Sequence, residues 1–467
     1  MQDHAAPDAQ NAELAELDLN RRAFLKGSSL ATMMAMMGGI PLIAAESTPE
    51  GATKYKTTSP PVNCGVIGLG PHGRDVLQAL ARLPNAPVVA ICDSYQAFLN
   101  RSKELAPKAA TYTDYKQLLA DKNVKGVIIA TPTHQHKQIV LDALAAGKHV
   151  YCEAPIAHTL EDAKVIAQAA QANPKLYFQA GLQERSDSQR LFVLPFIRSG
   201  GIGAFGSIRA QNNKKQSWRR ASPNPEREKE NNWRLSSKTS LGIAGELGIH
   251  SIDAACWYIN ERPISVTGFG ALRHWKDGRD VPDTVRAVFE FASGVTFNYE
   301  GTLINSFDTN CEVYTGSDAA ILVRDFKAWM FKEADAPLLG WEVYARKDDF
   351  YKQEGIALVA NASKAAAQGA NAEDPSAAGF TPLYYGLEAF VVNTDMHHAA
   401  VEDFNASFGA NADAAALVDY LKDIQKNKKH AATWADGYAA TALAIKTNEA
   451  ITKHSKITFD KGFFDLA

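Results

Sequence analysis

The chain has 467 residues, of which 46% are hydrophobic and 22% are charged, and its formal net charge is −3. This length allows two or more domains with cores of their own, and the composition is that of an ordinary globular protein. The slightly negative charge and the lack of a long basic stretch give no reason to expect a nucleic-acid partner.

The first 60 residues differ from the rest of the chain. Residues 20–26 have the sequence Asn-Arg-Arg-Ala-Phe-Leu-Lys, and residues 27–45 are uncharged. A twin arginine before a moderately apolar segment resembles a twin-arginine export signal, whereas a short membrane anchor is the alternative. We predict a signal peptide over residues 1–45 and a linker over residues 46–60. The protein would use the twin-arginine export machinery and be periplasmic, or membrane-tethered if the signal is not cleaved.

A glycine-rich turn follows the linker. An apolar run beginning at residue 62 ends in G-x-G-x-x-G, formed by Gly68, Gly70 and Gly73. Gly68 permits a tight turn, Gly70 lets the backbone approach a pyrophosphate, and Gly73 allows close packing of helix on strand. The next apolar run ends at Asp93, whose carboxylate can bind an adenosine ribose and would repel a 2′-phosphate. The pattern predicts NAD rather than NADP; a purely structural glycine turn is the alternative.

Strand and helix patterns alternate over residues 61–180. This alternation predicts a doubly wound parallel sheet, a Rossmann dinucleotide-binding domain, with ligands bound outside the carboxyl ends of its strands. The loops that begin at Gly68, Asp93, Thr131 and Glu153 would meet at that edge.

The pattern changes after residue 180. A polar, arginine-rich region precedes β-rich runs over residues 264–346, which predict a mostly antiparallel sheet. We therefore predict a substrate and oligomerisation domain of α+β type over residues 181–467. Residues 351–368 are alanine-rich and are predicted to be helical. The five cysteines have neither the spacing of a zinc site nor the density of a disulfide framework, and we expect no metal.

Three motifs follow the glycine turn in a characteristic order. They are T-P-x-x-x-H at residues 131–136, G-K-H-V-x-C-E-x-P at residues 147–155 and G-x-H-x-x-D at residues 248–253. Together they resemble the glucose–fructose oxidoreductase/inositol dehydrogenase (Gfo/Idh/MocA) family over roughly residues 61–345. The resemblance implies a nicotinamide cofactor between two domains, a substrate that is a sugar or cyclitol, and a homo-oligomer formed through the second domain's sheet.

The resemblance also implies roles for individual residues. Thr131, His136 and Glu153 match positions near the nicotinamide half of the cofactor, and the three glycines and the aspartate described above match its pyrophosphate and ribose contacts. His250 matches the family's catalytic histidine, and a histidine can take a proton from a substrate hydroxyl near neutral pH. His136 as a helix cap and His250 as a structural histidine are the alternatives.

Two positions depart from the family pattern. Ala154 stands where the family commonly has a lysine, and Glu246 stands where it often has an aspartate. Either His250 and Glu246 together handle the proton, or the chemistry differs. The first hypothesis is an exported oxidoreductase that transfers hydride between a sugar-like hydroxyl and tightly held NAD.

Two other functions stay open. Relatives that lack the lysine include redox-neutral, NAD-dependent glycoside hydrolases or lyases, which oxidise the sugar transiently, eliminate and reduce again. The third hypothesis is an inactive NAD- or sugar-binding protein. Arg185, Trp233 and Arg234 are candidate substrate contacts, because aromatic faces pack on sugars and arginines bind hydroxyls or carboxylates. Their alternative role is to cover the interface between the domains.

Overall fold

The computed structural model describes residues 59–222, 224–339, 342, 347–350, 353–358, 380–409 and 413–466. The predicted signal peptide and nearly all of the predicted linker lie outside these ranges. Within them, no helix is both long enough and apolar enough to cross a membrane. The same residues contain no group of three or more histidine, cysteine or acidic side chains that could hold a metal ion.

The first domain is a parallel sheet covered by helices. Its strands are β1 (Cys64–Ile67), β2 (Val88–Cys92), β3 (Ala110–Tyr112), β4 (Gly126–Ile129), β5 (His149–Cys152) and β6 (Phe178–Ala180). Its helices are α1 (Pro71–Leu80), α2 (Gln96–Ser102), α3 (Tyr115–Ala120), α4 (His136–Ala145) and α5 (Leu160–Ala172). The strand order is β3-β2-β1-β4-β5-β6, so the direction of winding reverses between β1 and β4. A ligand crevice is expected at that reversal, outside the carboxyl ends of the strands.

The second domain is built on a ten-stranded sheet. Before and between its strands lie the helices α6 (Ser188–Arg198), α7 (Pro225–Asn231), α8 (Gly242–Glu246) and α9 (Gly248–Ile259). The strands are β7 (Phe205–Asn213), β8 (Pro263–Ala271), β9 (Thr284–Phe291), β10 (Thr296–Thr302), β11 (Asn310–Gly316), β12 (Ala319–Arg324), β13 (Lys327–Lys332), β14 (Lys347–Phe350), β15 (Gln353–Leu358) and β16 (Lys456–Thr458). Their order is β14-β15-β13-β12-β11-β7-β10-β9-β8-β16, and β7 and β10 form a parallel pair in an otherwise antiparallel sheet. The predicted fold class, a Rossmann domain followed by an α+β domain, is confirmed.

The C-terminal helices return to the first domain. They are α10 (Pro382–Phe408), α11 (Ala414–Gln425) and α12 (Trp434–Lys453). Leu387 and Phe390 of α10 share a buried cluster with Leu77 of α1, and Tyr438 of α12 lies in the cluster on the sheet's other face. Leu443 and Ile451 of α12 lie in the second domain's buried cluster, so α12 packs on both domains, whereas α11 packs on α10. The second domain over residues 181–467 stays a prediction.

The helix predicted over residues 351–368 is wrong over residues 353–358, which form strand β15. Backbone pairing of β15 with β13 and β14 forms the edge of the large sheet, so tertiary pairing overrides the local helical preference. The remaining part of that prediction lies outside the described residues. The long helix α10, by contrast, was missed from the sequence.

Candidate active site

A cavity of about 1990 Å³ lies between the two domains at the carboxyl ends of the Rossmann strands. The loops after β1, β2, β4 and β5 line one side, and residues from 211 to 251 line much of the other. Asp93 and Glu312 both line this one cavity. The four loops that the sequence analysis placed at one edge therefore do meet there.

The glycine turn has the geometry that a dinucleotide requires. Gly68 has a φ of 92°, and a Cβ at this position would lie 2.7 Å from the carbonyl carbon of Ala130. A Cβ on Gly73 would collide with the Gly68 carbonyl, so α1 can pack this closely on β1 only with glycine there. A Cβ on Gly70 would have no described atom within 4 Å, so this backbone faces open space at the start of α1. Free N–H groups at a helix start favour a phosphate there.

Asp93 is fixed beside this turn. Its Oδ2 accepts a hydrogen bond from the N–H of Leu69 at 2.8 Å, and its Oδ1 accepts one from the N–H of Tyr95 at 2.8 Å. Burial raises the pKa of Asp93 above its ordinary value, while the two backbone bonds and Arg227 oppose that rise. The carboxylate is thus held rigidly at the end of β2 and lines the cavity. The glycines and Asp93 fit a bound dinucleotide.

His136 connects two of the loops that line the cavity. Its Nε2 lies 2.9 Å from the carbonyl oxygen of Thr131, and its Nδ1 lies 3.0 Å from that of Pro155. Burial lowers the pKa of His136, and both carbonyl oxygens oppose this. The side chain is therefore occupied in joining the loop after β4 to the loop after β5, which contains a cis Ala154–Pro155 peptide bond. The contacts of His136 fit a role in positioning these two loops. The hydroxyl oxygen of Thr131 is buried and has no hydrogen-bond partner among the described residues.

Glu153 faces a histidine that the sequence analysis did not select. Its Oε1 lies 2.9 Å from Nε2 of His72, which is part of the glycine motif itself. Burial lowers the pKa of His72, but the Glu153 carboxylate more than offsets this, so that pKa is raised. An ionisable side chain inside a G-x-G-x-x-G motif was the available signal. Both residues line the cavity, so the pair lies beside the glycine turn.

Glu246 lies on the opposite wall of the cavity. Its carboxylate accepts hydrogen bonds from Thr133 Oγ1 at 3.2 Å, from Ser240 Oγ at 3.3 Å and from the N–H of Leu241 at 3.2 Å. Nε of Arg234 is 3.8 Å away. Burial raises the pKa of Glu246, although Arg234 and the hydrogen bonds lower it. The carboxylate is therefore buried, oriented and connected to the loop after β4.

His250 is the third residue of α9 and lines the same cavity as Glu246. Its Nδ1 is buried and has no hydrogen-bond partner within the described part of the chain. Ala154 also lines this cavity. The structure thus brings His250, Glu246 and Ala154 to one space, as the sequence analysis expected.

Aromatic rings and a guanidinium form another part of the cavity wall. Arg234 lies over the ring of Trp233 at 4.6 Å and over that of Trp218 at 6.0 Å. His134, which the sequence analysis did not select, lies 6.1 Å from Trp233. All four residues line the cavity, so Trp233 and Arg234 are placed where a substrate can meet them.

Arg185 does not share this placement. Its Nε and Nη2 bind the two oxygens of Asp253 at 2.8 and 2.9 Å, and its Nη1 binds Asp436 at 2.9 Å. Among the described residues it is not one that lines the cavity. The predicted substrate contact is not supported by this position, because the whole guanidinium is occupied inside the protein. The alternative role at the interface fits: Arg185 holds α9, which contains His250, to the start of α12.

Comparison with known proteins identifies the family. Residues 62–181 match the model of an oxidoreductase family with an NAD-binding Rossmann fold, and residues 195–321 match the GFO/IDH/MocA C-terminal domain. Inositol 2-dehydrogenase of Salmonella typhimurium is 31% identical over 260 residues, which are 54% of this chain and 71% of that protein. The chain belongs to the Gfo/Idh/MocA oxidoreductase family. Its first domain is an NAD-binding domain, and the cofactor prediction is confirmed.

Other Gfo/Idh/MocA relatives differ in the reactions that their names describe. Levoglucosan dehydrogenase of Pseudarthrobacter phenanthrenivorans is 29% identical over 52% of this chain and 67% of that protein. A glycosyl hydrolase family 109 protein of Shewanella baltica is 30% identical over 40% of this chain and 44% of that protein. An oxidoreductase domain protein from Kribbella flavida has a TM-score of 0.64 at 18% identity, covering 86% of this chain and all of that one. This structural likeness shows the fold.

Proposed function

We propose that the protein oxidises a hydroxyl group of a sugar- or cyclitol-like substrate and that it keeps its NAD bound between turnovers. The observation that carries the proposal is the placement of His250. Its half-buried ring lies in the interdomain cavity, which also contains the glycine turn and Asp93. Bound NAD would supply the two-electron acceptor for such an oxidation.

The residues of the Rossmann domain hold and orient the cofactor in this proposal. The N–H groups at the start of α1 face the pyrophosphate, with Gly70 leaving room for it. Asp93 accepts hydrogen bonds from the adenosine ribose, and the loops of Thr131 and Glu153 form the nicotinamide side. His136 lies between those two loops, with each ring nitrogen about 3 Å from a carbonyl oxygen of one loop, and keeps the loops together.

The residues of the second domain handle the substrate and its proton. His250 accepts the hydroxyl proton, a role that suits an imidazole near neutral pH. Glu246 is the second proton-carrying group, because its buried carboxylate is held in the same cavity as His250 and burial raises its pKa. Trp233 packs on the C–H face of the sugar, and Arg234 donates hydrogen bonds to its oxygens. The relatives named as inositol 2-dehydrogenase and levoglucosan dehydrogenase support a carbohydrate-like substrate.

The proposal extends to the location and assembly of the protein. Residues 20–45 would direct it through the twin-arginine machinery to the periplasm, with a membrane tether if the signal stays attached. Proteins cross by this route already folded, which suits an enzyme that retains its cofactor. The large sheet of the second domain would form a homo-oligomer, as in the family.

The test is NADH formation with a panel of sugars and cyclitols, using wild-type protein and His250→Asn. We expect wild type to form NADH, and the variant to lose about 10²–10⁴-fold in kcat, since general acid–base help has that size. NAD binding should be unchanged. His274→Asn is the matched control, because His274 is exposed and does not line the cavity within the described chain. Equal activity of His250→Asn and wild type would contradict the assignment of His250.

The second candidate is a redox-neutral glycoside hydrolase or lyase. Ala154 in place of the family lysine and the similarity to the glycosyl hydrolase family 109 protein favour it. Release of the aglycone from a glycoside panel without net NADH formation would support this candidate over the first. If neither product forms while NAD still binds, the third hypothesis, an inactive binding protein, is supported.

A further inference from the structure

The second domain reaches back to the part of the cavity that contains Asp93. Helix α7 carries Arg227, whose Nη2 lies 3.5 Å from Oδ1 of Asp93 although the two residues are 134 positions apart in the chain. Nη1 of Arg227 also lies 3.4 Å from the hydroxyl of Ser94. Arg227 therefore contacts the end of β2, which is the ribose-binding end of the Rossmann domain.

Aromatic rings and a carboxylate fix the orientation of this guanidinium. It lies over the ring of Tyr95 at 4.5 Å and over that of Phe98 at 5.5 Å. Nη1 is bound to Glu230, one turn further along α7, at 2.5 Å. The side chain is only 16% exposed, and a partly desolvated cation on an aromatic face is held more strongly than an exposed one.

Arg227 and Asp93 lie at the same end of the cavity as the glycine turn. Asp93, Ser94, Phe98 and Arg227 all line it, so the space between them is continuous with the space above Gly70. Two oxygens of Asp93 already accept backbone N–H groups, and they keep lone pairs for a ribose hydroxyl and for Arg227. A guanidinium adds N–H donors in one plane and a flat face, both of which suit a nucleoside.

We propose that Arg227 is a cofactor-binding residue, supplied by the second domain, that covers the adenosine end of NAD and slows its release. The inference rests on the proposed function in so far as NAD is the retained cofactor. Release of the adenosine end requires the Arg227–Asp93 contact between the domains to open. Retention is thus a property of both domains and not of the Rossmann domain alone.

The test measures cofactor release and does not depend on sugar chemistry. NADH is bound to wild type, Arg227→Ala, Arg227→Lys and the control Arg286→Ala, and its dissociation rate is measured by fluorescence after displacement with excess NAD. We expect Arg227→Ala to release NADH about tenfold faster, which corresponds to about 1.4 kcal/mol. Arg227→Lys should fall between, since it keeps the charge but loses the planar fork. Arg286→Ala should equal wild type, because the Arg286 side chain is 75% exposed and does not line the cavity within the described chain.

A cofactor fragment separates this effect from a general loss of structure. Reduced nicotinamide mononucleotide lacks the adenosine, so its affinity should be the same for wild type and Arg227→Ala. Equal NADH release rates for these two proteins would overturn the inference and leave the proposed function intact. An equal weakening of NADH and of the fragment would overturn it as well. Failure of wild type to bind NADH would overturn both the inference and the proposed function.

Discussion

At the scale of single residues, the most informative position is Ala154. It lines the cavity between Glu153 and the cis proline, and it offers only a methyl group where the family commonly has a proton-carrying lysine. His250 and the buried Glu246 lie across the same cavity and carry the protons in our proposal. A lysine introduced at residue 154 would therefore show how much proton transfer the site lacks.

We predict that Ala154→Lys increases kcat/KM for net sugar oxidation at least about tenfold. General acid–base groups contribute on the order of 10²–10⁴-fold in rate, and part of that contribution should be recovered by a lysine that is imperfectly aligned. The measurement is NADH formation with the best substrate of the panel. Ala154→Met is the control, since it has similar length without a proton to exchange. An equal effect of both substitutions would mean that the position acts through space filling alone.

At the scale of secondary-structure elements, Arg185 joins three parts of the chain. It lies in the turn of residues 183–186 after β6, and it binds Asp253 on α9 and Asp436 at the start of α12. The Asp436 side chain also caps α12 together with Thr433. The G-x-H-x-x-D motif and the start of α12 thus meet at one buried arginine.

We predict that Arg185→Met lowers the free energy of unfolding by about 3–5 kcal/mol, because removing one partner leaves buried, uncompensated charge on the two aspartates. Urea unfolding followed by circular dichroism measures this change. Arg286→Met is the matched control. Arg286 forms an ion pair with Glu300, but its side chain is 75% exposed, and exposed ion pairs contribute about 0–1 kcal/mol to stability. Similar losses for both variants would contradict a structural role that is special to Arg185.

At the scale of the whole molecule, the features that could be predicted from the sequence are those that short stretches of neighbouring residues determine. The glycine turn and the position of Asp93 follow from local patterns, since parallel strands all present their carboxyl ends at one edge. Contacts between distant segments were not predictable in this way. Arg185 looked like a substrate contact because its two aspartate partners are far away in the chain. The same reason hides Arg227, whose partner Asp93 belongs to the other domain.

The return of α10 to the Rossmann domain was missed for a related physical reason. Its apolar residues face a surface that exists only after the sheet has formed, and Phe390 packs where β4 presents Gly126 without a side chain. A second consequence is a group of histidines between α10 and β5, in which His149 and His397 are buried and His398 is exposed. The ring of His149, at the start of β5, lies 6.3 Å from that of His397 and 6.0 Å from that of His398, both of α10.

This group should make the stability of the molecule depend on pH. Burial lowers the pKa of His149 to about 3, and burial together with Lys428 lowers the pKa of His397 to about 4. In the unfolded chain both pKa values are near 6.5, so below that pH the unfolded state binds protons that the folded state does not. The contribution of these two neutral histidines to the stability of the folded state is therefore fully present above about pH 6.5, and it is lost as the pH falls toward 4.

We predict that the free energy of unfolding decreases by up to about 1.4 kcal/mol per pH unit for each of these two histidines below pH 6.5. His149→Asn with His397→Asn should flatten this slope, because neither replacement titrates and an asparagine can still accept the hydrogen bond from the N–H of Tyr177. Urea unfolding at pH 7 and pH 5 measures the slope, with exposed His274→Asn as the control. If the double variant kept the wild-type slope, the acid sensitivity would arise elsewhere, and α10 would be held to the Rossmann sheet by its apolar contacts independently of these imidazoles.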